Sequence, residues 1–148
     1  MNRFSHYRLT LTIIIGLLLI VLVHQQWLRI DTTVDDARRP PIPAGMSPDA
    51  QPLFVYGTLQ WAPLRFIIMG RFGQPQPARL PGFRREGLTI IADAEHDVEG
   101  QLVIVNDQEL RALDRYERLG WRYQRIIVTL DNSLIAWAYQ RLDDDPAR

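Results

Sequence analysis

The chain has 148 residues, 47% of them apolar, with 17 basic and 17 acidic side chains and a formal net charge of zero. That length suits one compact domain plus an appendage. The balanced charge excludes recruitment of nucleic acid or an acidic partner through bulk electrostatics. The absence of cysteine excludes disulfides, thiol nucleophiles and thiolate metal sites. Every basic residue is arginine. The arginines are scattered, which fits the coding bias of a GC-rich bacterial genome and not a phosphate-binding patch.

The first element is an apolar run. Leu9 to Val23 carries no charge, and extension to Trp27 and Leu28 gives about 20 residues, roughly what a helix needs to cross a ~30 Å hydrocarbon core. Arg3 and Arg8 precede it; Trp27 and Arg29 follow it at the position of a headgroup boundary. A cleaved signal peptide would need a small-x-small site, but the chain continues His-Gln-Gln-Trp-Leu-Arg. A buried soluble helix would not be apolar on every side. Residues 1–29 are therefore expected to form a transmembrane anchor that meets the lipid bilayer through residues 9–28. The flanking arginines nearly balance. A short N-terminal tail usually stays in the cytoplasm, so the expectation is a single-pass protein of a bacterial inner membrane with the domain on the periplasmic side.

Residues 30–51 hold Pro40, Pro41, Pro43 and Pro48 among few large apolar groups, the pattern of a semi-rigid spacer. Residues 52–142 read as a domain, and residues 143–148 as an acidic tail. Within the domain, Leu53 to Tyr56 is a β-prone run stopped by Gly57. Pro63 to Gly70 reads as a short helix. Gln76 to Leu80 and Phe83 to Ala92 are strands broken by Pro81-Gly82 and Gly87, and Val98 to Val105 is a strand with Gly100 as a bulge. Asn106 to Gly120 is the clearest helix. Asn106 caps it, Glu109 completes a capping box, and Gly120 ends it. Tyr123 to Leu130 and Leu134 to Tyr139 form a hairpin through Asp131-Asn132-Ser133. The set predicts an α+β fold: a small, mainly antiparallel β-barrel with flanking helices.

One carboxylate sits on an unexpected face. Leu110 and Leu113 define the apolar side of the last helix, and Glu117 follows Leu110 by seven residues, projecting within about 20° of it. A carboxyl aimed at a core is costly unless it is paired, protonated or at a cavity, and burial raises its pKa toward the range of a general acid/base. The competing reading makes Glu117 a structural partner of Arg122 or Arg125. Asp114, also near this face, reads as a solvated edge residue. Tyr56-Gly57-Thr58-Leu59, after the first strand, can converge backbone N–H groups into an anion-binding nest, although glycine after a strand commonly just turns the chain.

In order and spacing these segments resemble the γ-glutamylcyclotransferase-like family, which includes the avirulence-induced plant proteins. The matching residues are Phe54-Val55-Tyr56-Gly57-Thr58-Leu59, Ala78-Arg79-Leu80-Pro81-Gly82-Phe83-Arg84-Arg85, Val98-Glu99-Gly100-Gln101-Leu102 and Leu113-Asp114-Arg115-Tyr116-Glu117. Tyr123-Gln124-Arg125 and Ala136-Trp137-Ala138-Tyr139 complete the set, which spans Leu53 to Gln140. The resemblance implies a small β-barrel without cofactor, acting on a small γ-glutamyl substrate. It implies Glu117 as the catalytic acid/base, with Tyr56, Gly57, Thr58, Leu59 and Tyr123 binding substrate, and release of 5-oxoproline and an amine. No metal is implied, and His6, His24 and His96 do not converge on a ligand set. The sequence departs from the family at Arg118, where many members have glycine after the catalytic glutamate, and at bulky Trp61 after the loop. These departures bear on substrate and activity. The rival function is a catalytically inactive module, tethered to the membrane, that binds a γ-glutamyl-like ligand or a protein.

Overall fold

In the computed structural model, which describes Ile15, Gly16 and residues 36–142, the β-prone runs form five strands. These are β1 (Gln51–Val55), β2 (Gln76–Glu86), β3 (Thr89–Val105), β4 (Tyr123–Thr129) and β5 (Ile135–Arg141). Two helices join them, α1 (Ala62–Met69) and α2 (Asp107–Glu117). Apart from the helical pair Ile15 and Gly16, the expected span over residues 9–28 lies outside the described residues, as does the tail 143–148. Among the described residues no helix is long and apolar enough to cross a membrane.

The strands make one mixed sheet in the order β2-β3-β1-β5-β4. β1–β3, β2–β3 and β4–β5 pair antiparallel, and β1–β5 pairs parallel through Leu53–Trp137 and Phe54–Ala138. The expected small β-barrel takes the form of a curled half-barrel. β2 and β4 stand at opposite ends of the strand order, and a single backbone bond, Asp131 N–H to Arg79 O at 3.1 Å, draws the two edges together. Curling follows from strand twist, and the two edge strands, β2 and β4, make no ladder with each other.

The run Leu53-Phe54-Val55-Tyr56 is apolar without alternation because both faces of β1 are buried. Side chains on a strand alternate. Leu53 and Val55 therefore enter a cluster with Leu110, Leu113 and Trp137, while Phe54 and Tyr56 enter a second cluster with Leu80, Ile90 and Ala138. The first cluster packs α2 on the sheet; the second fills the curl.

Three glycine expectations change. Pro81-Gly82 does not break the strand. The strand continues through a register shift between Pro81 and Phe83, where Gly82, at φ 77°, stands alone opposite the four β3 residues 93–96. Gly100 is not a bulge, since it pairs in regular register with Ala78. It is required for close approach: a Cβ there would lie 2.5 Å from Val55 O and 2.7 Å from the Phe54 ring. Finally, α2 ends before Gly120. The helix begins as expected: Asn106 Oδ1 accepts from Glu109 N–H, and Glu109 Oε2 accepts from Asn106 N–H, both at 2.9 Å. It stops at Arg118, which takes the left-handed conformation at φ 55°. The Tyr123 carbonyl accepts from the Gly120 N–H at 2.8 Å, and this pull into the next strand leaves no room for another helical turn.

The proline-rich segment is not wholly a spacer. Arg39 donates to Asp114 Oδ2 and Asp107 Oδ1, each at 2.9 Å, and Arg38 donates to Gly120 O at 3.1 Å.

Candidate active site

The two features singled out by sequence meet at one pocket. β1 delivers Tyr56 to its end, Gly57 turns the chain, and Thr58–Gln60 forms one 3-10 turn. In that turn the first donors are Gln60 N–H to Gly57 O and Trp61 N–H to Thr58 O. The N–H groups of Thr58 and Leu59 precede them and have no acceptor within the turn. Facing this loop, α2 presents Tyr116 and Glu117 from its final residues. A pocket of about 180 Å³ lies between, lined also by Leu88, Arg122, Tyr123 and Tyr139.

All six residues expected from the sequence (Tyr56, Gly57, Thr58, Leu59, Glu117 and Tyr123) line this pocket. Glu117 is half-buried. Burial pushes its carboxyl from the ordinary 4.5 to about 7, while Arg122 on the same wall pulls the other way through space. The group is thus poised between its two forms near neutrality, where a side chain can both take and return a proton. Burial also raises Tyr56 and Tyr123, and the Glu117 charge adds to the effect on both. They stay protonated as donors. The Tyr56 hydroxyl is engaged by the Tyr139 carbonyl, and Tyr123 donates to Leu88 O at 3.3 Å. Thr58 Oγ1 lies 3.4 Å from the Tyr116 hydroxyl across the pocket mouth.

Arg125 is not a partner of Glu117. Its Nε sits 3.1 Å from Asp114 Oδ1, at an angle that makes an ion pair without a hydrogen bond, and its guanidinium lies 4.6 Å from the Trp137 ring centre. Asp114, read from sequence as a solvated edge residue, is 0% exposed. Its Oδ1 accepts from the Tyr139 hydroxyl at 2.7 Å, and its Oδ2 from Arg39. The physical reason is that a carboxylate can enter a core when donors and charge meet it there: two hydrogen-bond donors, Arg39 and Tyr139, come from distant segments, and Arg125 adds an ion pair. Sequence reading also missed Leu88, Arg122 and Tyr139 as pocket residues. For Tyr139 a signal existed, since it lies at the end of an alternating strand. For Leu88, in the β2–β3 turn, there was none. Trp61 does not line the pocket and is 63% exposed.

No curated protein matches the chain by sequence. Solved structures do share its fold. A solution structure of an Arabidopsis thaliana protein aligns at 27% identity over 70% of this chain and 77% of that one, with a TM-score of 0.58. An AIG2-like protein of Mus musculus aligns at 22% identity over 66% and 81%, TM-score 0.53. A protein described as gamma-glutamyl cyclotransferase aligns at 14% identity over 64% and 68%, TM-score 0.50. The family model described as "Gamma-glutamyl cyclotransferase, AIG2-like" matches residues 53–147, which is more than half of the 148. The chain belongs to this family, whose activity at family level is of the gamma-glutamyl cyclotransferase type.

Proposed function

We propose that this protein is a membrane-anchored γ-glutamylcyclotransferase that converts a γ-glutamyl amine or peptide to 5-oxoproline, with Glu117 as its acid/base. The observation that carries the reading is Glu117, displaced to about 7 by burial and lining one pocket together with Gly57, Thr58 and Leu59 of the loop after β1.

In the proposed reaction Glu117 takes a proton from the substrate α-ammonium. The freed nitrogen attacks the γ-carbonyl carbon of the same molecule, forming the ring C–N bond. The N–H groups of Thr58 and Leu59 stabilise the developing oxyanion. Collapse breaks the bond to the leaving nitrogen, which receives the proton from Glu117, and the ring nitrogen gives its second proton to the departing amine, which leaves as an ammonium, so the lactam keeps one N–H. The products are 5-oxoproline and an amine or amino acid. Since both reacting groups lie in one molecule, holding it in the ring-closing geometry supplies much of the acceleration. Tyr56 and Tyr123, which both line it, shape the pocket. Neither departure from the family pattern blocks it: Arg118 keeps the left-handed helix end that glycine would take, and Trp61 stands outside the lining. Residues 9–28 would hold the domain at the bilayer, on the periplasmic face.

The test is 5-oxoproline release by the full chain in detergent from a panel of γ-glutamyl amines and dipeptides, beside Glu117→Gln. Product from the wild type alone supports the reading. A folded wild type that is stabilised by panel compounds but releases no product from any of them would replace it with a ligand-binding module.

A further inference from the structure

Asp114 lies one turn before Glu117 on α2, fully buried, and the proposed reaction does not use it. Its backbone carbonyl accepts from the Leu119 N–H at 2.9 Å, closing the turn from which Glu117 projects. Its side chain receives two hydrogen bonds. One is from the Tyr139 hydroxyl at 2.7 Å, and Tyr139 O in turn accepts from the pocket residue Tyr56. The other is from Arg39 Nε at 2.9 Å. Arg39 is itself nearly buried, and its second arm reaches Asp107 Oδ1 in the first turn of α2, also at 2.9 Å. It thus grips α2 at both ends. Next to it, Arg38 bonds Gly120 O and lies 4.8 Å from the Trp121 ring centre. Arg39 also lies ahead of the family match, which begins at residue 53.

We propose that Arg39, supplied by the segment preceding the family domain, is a positioning residue for Glu117, acting through Asp114. A helix end frays unless something fixes its last turn. Here the fixing group is a buried carboxylate, and Arg39 is one of the two donors that hydrogen-bond it. Without Arg39 the Oδ2 oxygen loses its hydrogen bond, and Arg125 meets Oδ1 without hydrogen-bond geometry. The last turn of α2 then loosens, and Glu117 moves with it.

The inference rests on Glu117 being the acid/base, so the experiment includes a readout independent of turnover. Tyr56, Tyr116, Arg122, Tyr123 and Tyr139 face Glu117 in the pocket; Arg39, Arg125 and Tyr139 face Asp114. Burial and Arg122 set the Glu117 proton affinity, and Arg39 is not among its causes. Removing Arg39 therefore reaches Glu117 by admitting water at the helix end, which lowers its titration midpoint. A direct loss of positive charge would raise it.

The full chain, labelled with 13C-glutamate in detergent micelles, is titrated as wild type, Arg39→Ala and Arg39→Lys, with Glu117 assigned through Glu117→Gln. Arg39→Ala should lower the Glu117 midpoint and reduce kcat about tenfold with KM within about twofold. Arg39→Lys, which keeps a donor, should restore part of both. A folded Arg39→Ala with an unchanged or higher midpoint overturns the proposal. If Arg39→Ala does not fold, Asp107→Asn frees one arm of Arg39 and carries the test: a lower midpoint supports positioning and an unchanged one refutes it. A wild type without turnover whose midpoint still falls in Arg39→Ala removes the enzyme reading and leaves the positioning intact. Turnover equal in wild type and Arg39→Ala removes the positioning alone.

Discussion

Replacing Glu117 by glutamine should stop turnover and, above neutral pH, make the protein more stable. The two effects share one cause. Burial raises the Glu117 carboxyl from 4.5 to about 7, so between those values the folded state holds a proton that the unfolded chain has released. Stability contributed by the protonated group is fully present below about pH 4.5 and is lost as pH rises through about 7. At about 1.4 kcal/mol for each tenfold change in proton affinity, the displacement corresponds to about 3 kcal/mol. Allowing for the water-facing side of a half-buried group, about 2 kcal/mol is the expected loss in the wild type. Glutamine has the shape of the protonated acid and no charge to desolvate, so the variant escapes this loss. The assay is denaturant unfolding of both proteins in the same detergent at pH 4 and pH 8. The curves should coincide at the lower pH. At the higher pH Glu117→Gln should be the more stable by about 2 kcal/mol. Equal stability at pH 8, or a gap that persists undiminished at pH 4, would refute the burial argument.

Three further outcomes follow from the backbone and the pocket wall. Arg118→Gly should raise stability by about 1 kcal/mol, read as a higher Tm, because it relieves a side chain at φ 55°. Kcat should change little, since the helix already ends there. Gly100→Ala should destabilise by about 3 kcal/mol in denaturant unfolding, because its Cβ would meet the Val55 carbonyl and the Phe54 ring, both fixed inside the core. Trp61→Ala should leave KM for the best γ-glutamyl substrate within about twofold, since Trp61 stands outside the pocket lining. A large change in KM would place Trp61 against bound substrate.

Local chemistry settled much of this molecule before any long-range contact was known. The Asn106–Glu109 capping box lies within four residues, so it was readable. Leu110, Leu113 and Glu117 share a helix face by periodicity alone, which pointed to the carboxyl that the structure puts at the pocket. The run ending at Gly57 gave the strand and its loop. Tertiary structure decided what depends on residues far apart in the chain. Asp114 looked like a surface residue because its donors are Arg39, 75 positions earlier, and Tyr139, 25 positions later. Gly100 looked like a bulge because the crowding atoms belong to β1. The helix ends at Arg118 and not at the expected Gly120, whose N–H is taken by the Tyr123 carbonyl. A sequence carries its periodicities and caps openly, since these act over a turn or a strand. It hides the burial of a charge, the approach of two backbones and the closure of a pocket, whose energies depend on partners that only folding brings within reach.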